Sequence, residues 1–573
     1  MLSKLYQLIK ILDYKDQVSL AILFLMTIIA MSLEVFSIIA VLPLIQEFLS
    51  SENNFEFLNS IKYFENYDQT NILIFLFISI HFFKFLYLFF FYYIQSSFIN
   101  NLSAKLTTRL FSNYLIQDYE LHTQKKTSVM LRNLISETKM LCSTFINPIF
   151  ILIIEIVIIS GVVIFLFIYQ SELSLMIGIT FFILIILYMV IVKKKFFNWG
   201  LARQSLNNNS LKISLDGLTG IKDLMIYHKE NFFREKFTKN EFEFAKVSKL
   251  YSTFQQLPRL VFEFIVIFFL ILLVYFLKRD NLPNNNIIEI IGVFAVASVR
   301  FIPGASKIIG SFQQIRFGAP ALNTILKENI LKKKYYDEYL YKRDQNSIHK
   351  FKECIELKDI SFAYKNKKEN IILENLNLTI NKNEIIGILG PSGSGKSTIV
   401  DILSGLLLPT SGNIFLDGKI IDHNILIRGL FAYVPQNVYL LNDTIKNNII
   451  FDTTDTINEE KLKNSVRFSQ LNEFLNSLPN NLNTFVGERG SMLSGGQVQR
   501  IGIARALYHQ SEIIIFDEST NALDQKSEKK VIDEIKYLKK IKTIIIISHK
   551  ESNLEICDRI YELRDKKLEI KKL

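Results

Sequence analysis

The chain reads as an α-helical membrane domain of six transmembrane helices followed by an α/β domain built around a phosphate-binding loop. Three observations carry this reading. Six apolar stretches long enough to cross a bilayer all begin before Pro303, the glycine-rich segment GPSGSGKST (390–398) follows an apolar run, and a second apolar run, IIIF (513–516), ends in the adjacent carboxylates Asp517 and Glu518. Composition agrees: 49% hydrophobic and 21% charged residues make an apolar excess too large for an ordinary soluble enzyme. With 48 Phe against 10 Pro and 22 Gly, disordered and collagen-like chains are excluded.

A helix needs about 20 apolar residues to span hydrocarbon. The stretches fall near Val18–Phe48, Ile72–Ile94, Phe145–Tyr169, Leu173–Val192, Leu260–Leu277 and Ile287–Ile302. Ahead of them, Leu5, Leu8, Ile9 and Leu12 recur at helical spacing among Lys4 and Lys10, the pattern of an interfacial helix rather than a cleaved signal. The first connection carries Lys62 as its one basic residue, whereas the second carries Lys105, Arg109, Lys125, Lys126, Arg132 and Lys139, and the fourth runs from Lys193 through Arg203 to Lys249. Basic loops stay on the cytoplasmic side, which places both termini and the second half of the chain there. Both cytoplasmic connections read as helical, so the spanning helices continue beyond the bilayer. The boundaries that follow are a membrane domain over 1–325, a charged linker over 326–350, and a nucleotide-binding domain over 351–573. Cys142, Cys354 and Cys557 are too scattered for a disulfide framework or a zinc site.

Within the second half, Gly390, Gly393 and Gly395 let the backbone curl so that its N–H groups converge on phosphate oxygens at a helix start. Pro391, Ser392, Ser394 and Thr398 complete the phosphate-binding segment, Lys396 neutralises the β- and γ-phosphates, and Ser397 supplies a hydroxyl for Mg²⁺. Asp517, at the end of a buried strand, reaches the same Mg²⁺, and Glu518 polarises the attacking water.

The segment Leu493-Ser494-Gly495-Gly496-Gln497 makes the resemblance specific: it is similar to the signature motif of ATP-binding cassette (ABC) transporters. The surroundings match in order. The resemblance implies that Tyr364 of SFAY stacks on adenine, that Gln436 of YVPQN touches Mg²⁺ and water, that NALD (521–524) crosses between subunits, and that His549 of IIIISHK contacts the γ-phosphate. It also implies that two nucleotide domains meet head to tail, each ATP lying between the loop of one and the signature of the other. One copy of each motif and six spans therefore resemble a half-transporter of exporter type, working as a homodimer, with coupling helices near Gln117–Thr123 and Ser214–Lys222 and an exporter-type segment, TFVGERG, around Glu488. Nucleic acid is not an expected partner.

The cargo is less plainly written. SVRFIPGASKI (298–308), DGLTGIKDLMIYHKENFF (216–233) and QDYELHTQKKTS (117–128) look similar to bacterial flippases of polyprenyl-diphosphate-linked oligosaccharides, which serve protein glycosylation. Such a cargo needs cations in its path, and Lys84, Arg259 and Arg300 are the candidates. Glu34 and Glu155 are also intramembrane; they either pair with these cations or serve a cationic drug or peptide. A lipid A-core lipid is a further alternative. In each reading the chain is a multi-pass protein of the bacterial inner membrane.

Overall fold

The computed structural model describes residues 13–40, 69–169, 171–279, 284–328, 351–364, 371–421, 428–451, 457–518, 532–533 and 535–571. Two compact units emerge: residues 1–116 with 125–335, and residues 117–124 with 336–573. The N-terminal interfacial segment, the first connection with Lys62, most of the 326–350 linker and the NALD segment lie outside the described residues.

The first unit is helical: α1 (Tyr14–Ile39), α2 (Gln69–Ile116), α3 (Tyr119–Gln124, grouped with the second unit), α4 (Thr127–Tyr169), α5 (Ser171–Thr219), α6 (Ile221–Ile226), α7 (Glu230–Arg279) and α8 (Asn284–Lys327). Among the described residues five helices, α1, α2, α4, α7 and α8, are long and apolar enough to cross a membrane, and the stretch expected as the fourth span lies in α5. At 1.5 Å per residue the 49-residue α5 is roughly 70 Å long, more than twice the hydrocarbon thickness. The helix therefore runs on without a break past the apolar stretch Leu173–Val192. Phe75, Phe83, Phe85 and Phe89 of α2 are exposed, an arrangement water penalises and lipid tolerates.

Small residues set the helix contacts. A Cβ at Gly200 of α5 would lie 2.2 Å from the Phe317 carbonyl oxygen of α8, and one at Gly318 would lie 2.8 Å from the Thr144 carbonyl oxygen of α4. Backbones approach this closely only where no side chain intervenes. Two π-helical stretches, Asn133–Glu137 and Cys142–Ile146, interrupt α4. Glu137, fully buried at the end of the first, accepts from Arg203 Nη2 at 3.1 and 3.3 Å and from Gln204 Nε2 at 3.0 Å; Gln204 also donates to Thr324 Oγ1. A buried carboxylate so placed ties α4, α5 and α8 together, because leaving it unpaired costs several kcal/mol.

The second unit contains two sheets. In the antiparallel one, β1 (Cys354–Ala363) lies between β2 (Ile371–Asn381) and β4 (Ser411–Leu416), with β5 (Lys419–Ile420) at the edge. The other has the order β10-β9-β3-β8-β7-β6, where β3 (Ile385–Leu389), β6 (Phe431–Val434), β7 (Ile513–Asp517), β8 (Thr543–Ser548) and β9 (Arg559–Arg564) run parallel and β10 (Lys567–Lys571) is antiparallel. Strands β3, β7 and β8 read IIGIL, IIIFD and TIIIIS because parallel strands are covered on both faces. Helix α9 (Lys396–Leu403) follows β3. A separate helical lobe, α10 (Ile445–Ile450), α11 (Glu459–Phe468), α12 (Asn472–Asn476) and α13 (Gly495–Tyr508), has its own core around Leu440, Ile449, Leu462, Leu475 and Ile501.

Alanine in place of a helix-interior glycine gains about 1 kcal/mol of propensity. Gly178→Ala, with nothing within 4 Å of its Cβ among the described residues, should keep or raise thermal stability in detergent, whereas Gly200→Ala should lower it by several degrees despite the same gain. Equal melting temperatures for the two variants would refute the close α5–α8 approach.

Candidate ATP site and membrane cavity

Parallel register puts the ends of β3, β7 and β8 side by side: Leu389 pairs with Ser548, and Asp517 with Ile547. Residues just past these ends, from distant parts of the sequence, therefore share one edge, where ligands of open α/β sheets bind.

Past β3, Gly393 and Gly395 take φ of 80° and 110°, the left-handed region that turns the loop. Lys396 Nζ donates to the carbonyl oxygens of Gly390 (2.6 Å) and Pro391 (2.9 Å), so the ammonium is folded back over the loop. Burial lowers the Lys396 pKa, against the raising influence of Glu518 and Asp517. Among the described residues Ser394 Oγ is buried without a hydrogen-bond partner, inside a loop whose sequence fits phosphate, and the Ser397 hydroxyl lies on an exposed residue. Pro391, Ser392 and Gly393 are exposed at the mouth, while Thr398 is buried in α9.

At the end of β7, Asp517 Oδ2 accepts from the Tyr433 hydroxyl at 2.8 Å. Burial raises the Asp517 pKa, the Tyr433 bond lowers it, Glu518 raises it and Lys396 lowers it. Glu518 has φ of 48°, and its N–H donates to the Ile547 carbonyl, which fixes the carboxylate beside β8. Gln436 Nε2 donates to one carboxylate oxygen at 2.9 Å, and His549 Nδ1 lies 2.9 Å from the other. Gln499 of α13 holds Gln436 by donating to its carbonyl oxygen at 2.5 Å. Gln436, Glu518 and His549 are thus brought together, with Asp517 adjacent in sequence to Glu518.

Burial and the Asp517 charge push Asp401 of α9 up to about 6. Ser397, Asp517 and Gln436 offer hard oxygen donors beside clustered carboxylates, a set that fits Mg²⁺ with phosphate and water completing its sphere. Tyr364 is half-buried, edge-on to Phe362 with ring centroids 5.0 Å apart.

The signature stands elsewhere. Ser494 caps α13: its hydroxyl accepts from the Gln497 N–H, and its own N–H donates to Gln497 Oε1, a capping box. Gly495 is exposed, Gly496 half-buried, and Leu493 packs on the helical lobe rather than on the core beneath the phosphate loop. Sequence reasoning missed Tyr433 and Gln499, although both lie close to recognised motifs.

Family comparison agrees with this geometry. Residues 20–297 match the ABC transporter transmembrane region and 373–521 match the ABC transporter family. The chain belongs to the ABC transporters. It is 28% identical over 82% of its length, and 81% of the relative, to an ATP-dependent lipid A-core flippase of Photorhabdus laumondii. A relative of the same description from Pseudoalteromonas translucida is 44% identical over 38% of this chain and 37% of its own. A solved structure of a bacterial Atm1-family ABC exporter with ATP bound shares the fold, with TM-score 0.76 and 18% identity over 96% of this chain and 94% of that one. This transporter is accordingly a multi-pass membrane protein that couples ATP hydrolysis to transport.

In the membrane unit a cavity of about 450 Å³ is lined by Tyr92, Ile151, Ile154, Glu155, Gln255, Gln256, Arg259, Ser306, Lys307, Gly310, Ser311 and Gln314. Of the three cations expected in a substrate path, Arg259 reaches this cavity, 69% exposed and bonded to Glu263 at 2.8 Å. Lys84 is held by Glu34 at 2.6 Å and by Ser37 at 3.0 Å. Arg300 lies 3.3 Å from Glu34 and 3.0 Å from Glu155. Neither Lys84 nor Arg300 lines the cavity; Lys307, which sequence reasoning did not single out, does.

Glu518→Gln should reduce steady ATP hydrolysis by at least about a hundredfold, the scale of general-base loss, while labelled nucleotide still binds. Retained turnover in that variant would remove Glu518 from the role of catalytic carboxylate.

Proposed function

We propose that two copies of this chain form an ATP-driven flippase of the bacterial inner membrane whose cargo is a phosphorylated glycolipid of lipid A-core type. The observation that carries the cargo is the membrane cavity: two cations, Arg259 and Lys307, line it together with Gln255, Gln256 and Gln314, and Ile151 and Ile154 of α4 line it too. An anionic, hydroxyl-rich headgroup joined to acyl chains meets charge, amides and apolar surface together. Cationic drugs or peptides suit this cavity less, because Glu155, its one lining carboxylate, is already engaged by two cations. The relatives' lipid A-core activity supports this cargo above the polyprenyl-diphosphate oligosaccharide suggested by segments 216–233 and 298–308. That oligosaccharide stays as the second reading, since its diphosphate would meet the same two cations.

The dimer follows from the nucleotide domain. The resemblance implies an ATP that takes its phosphate loop from one copy and its signature from the other, and the packing of the two helices on different cores supports that reading. Lys396 and the loop N–H groups hold the phosphates, Tyr364 stacks on the base, and Ser397, Asp517 and Gln436 hold Mg²⁺, which offsets phosphate charge. Glu518, steadied by Gln436 and His549, orients the attacking water; Ser494, Gly495, Gly496 and Gln497 close the site from the other copy. At the tip of the fourth connection most of the expected coupling segment Ser214–Lys222 is the end of α5, and the short helix lies further on as α6, with Leu218, Ile221, Met225, Ile226 and Tyr227 exposed. We assign this apolar tip the coupling role that the resemblance implies, by which closure around ATP moves the membrane helices. The basic loops support a cytoplasmic position for the nucleotide domains and both termini.

Proteoliposomes given a lipid A-core lipid, a polyprenyl-diphosphate oligosaccharide and a cationic dye should translocate the first, with ATP, and the Glu518→Gln protein should move none. Transport of the oligosaccharide alone would replace the cargo with the second reading. Transport of the dye alone would discard an anionic cargo.

A further inference from the structure

Lys307 Nζ and Arg300 Nη2 grip opposite oxygens of the buried Glu155 carboxylate at 2.8 and 3.0 Å. Arg300, Gly304 and Lys307 recur at the i, i+4, i+7 spacing of one helix face. Between the two cations the glycine leaves room: a Cβ there would come within 3.2 Å of Glu155 Oε2 and 2.9 Å of Ile159. On α8 these three residues form a cradle for one anionic group, and the group in it belongs to the protein itself. The cradle opens to the cavity, because both Glu155 and Lys307 line it and Lys307 is 47% exposed.

We propose that Glu155 is a resident competing anion that sets the headgroup charge the transporter accepts, admitting phosphate groups of two negative charges and rejecting singly charged phosphodiesters. The inference rests on the anionic-lipid reading of the cavity.

Among the described residues, the connected cluster of Lys84, Arg300 and Lys307 with Glu34 and Glu155 carries three positive charges against two negative. A monoanionic phosphodiester that draws Lys307 away from Glu155 exchanges one unit charge for another and gains little. A phosphomonoester or diphosphate brings roughly twice the Coulomb attraction to the same ammonium, and Arg259 stands in the same cavity to share it. Phosphodiester lipids surround such a protein in vast excess, so this difference keeps the cavity clear of them. Replacing Glu155 with the isosteric glutamine removes the competing charge and keeps the shape.

The test uses the full-length protein in nanodiscs and displaces a fluorescent phosphatidic acid with unlabelled phosphatidic acid, a phosphomonoester, or phosphatidylglycerol, a phosphodiester. Wild type should prefer phosphatidic acid by about tenfold, equivalent to 1.4 kcal/mol. In Glu155→Gln the preference should shrink to about threefold or less through tighter binding of phosphatidylglycerol, and Glu155→Asp should restore it. An unchanged preference in a Glu155→Gln protein with wild-type thermal unfolding overturns the proposal, as does a wild type that binds both lipids equally or neither. Should Glu155→Gln fail to fold, Lys307→Gln decides: phosphatidic acid affinity falls about tenfold with phosphatidylglycerol unaffected, or the proposal fails. Soluble glycerol 3-phosphate at equal concentration should not compete; full competition would make the ligand a soluble phosphate ester and overturn the lipid assignment. Transport of the lipid A-core lipid is scored separately. Transport with an unchanged preference removes only the role of Glu155, whereas an altered preference without transport removes the cargo and keeps the selectivity.

Discussion

A charged side chain cannot stand alone in hydrocarbon, and this constraint organises the membrane unit. Lys84 on α2, Glu34 on α1, Arg300 and Lys307 on α8 and Glu155 on α4 reach one another because each is costly without a partner. The resulting ladder joins four helices by bonds that lipid cannot replace. Apolar contacts alone discriminate poorly between one helix face and another in a bilayer, since acyl chains satisfy Leu and Phe equally well. Charges and the bare backbones at Gly200 and Gly318 therefore do more to fix the helix register than the many phenylalanines do.

In the nucleotide domain the ordering element is strand register. Leu389, Asp517 and Ser548 end neighbouring parallel strands, and the loop, carboxylates and histidine beyond them converge without further adjustment. Glu518 then gains a fixed direction from its left-handed backbone, its N–H bond to Ile547 and its contacts with Gln436 and His549. Gln436 is itself held by Gln499 on the signature helix, so the carboxylate is linked through one glutamine to the helix that begins at Gly495.

Much of this was legible in the sequence where chemistry is local. The phosphate loop, IIIFDE and ISHK each couple a buried apolar run to the polar residue just past it, so strand ends and site residues could be read together. Tyr433 was not legible as a partner of Asp517, because that bond depends on β6 pairing with β7 across some 80 intervening residues. The membrane cations were legible as costly, and pairing with Glu34 and Glu155 was one of two readings; which cation meets which carboxylate was not legible. Whether Arg300 faces the cavity or Glu155 depends on how α8 rotates against α4, and hydropathy does not encode rotation. Lys307 escaped notice for the same reason: near the end of an apolar stretch, its position alone resembles an interfacial lysine.

The π-helical stretches in α4 bear on descent as well as shape. A π turn closes five residues on, one more than an α turn, so each stretch holds one residue more than the α turn it replaces. Such an extra residue turns everything beyond it by about 100° about the helix axis. The stretch at Cys142–Ile146 lies between Glu137 and Glu155, so the two carboxylates need not share a face: one looks toward Arg203 on α5 and the other toward Arg300 on α8. A homologue without that residue would align with a gap here, and its counterpart of Glu155 would point elsewhere though the sequence beside it were identical. Divergence in cargo among such transporters can thus begin with a change of length rather than a change of side chain.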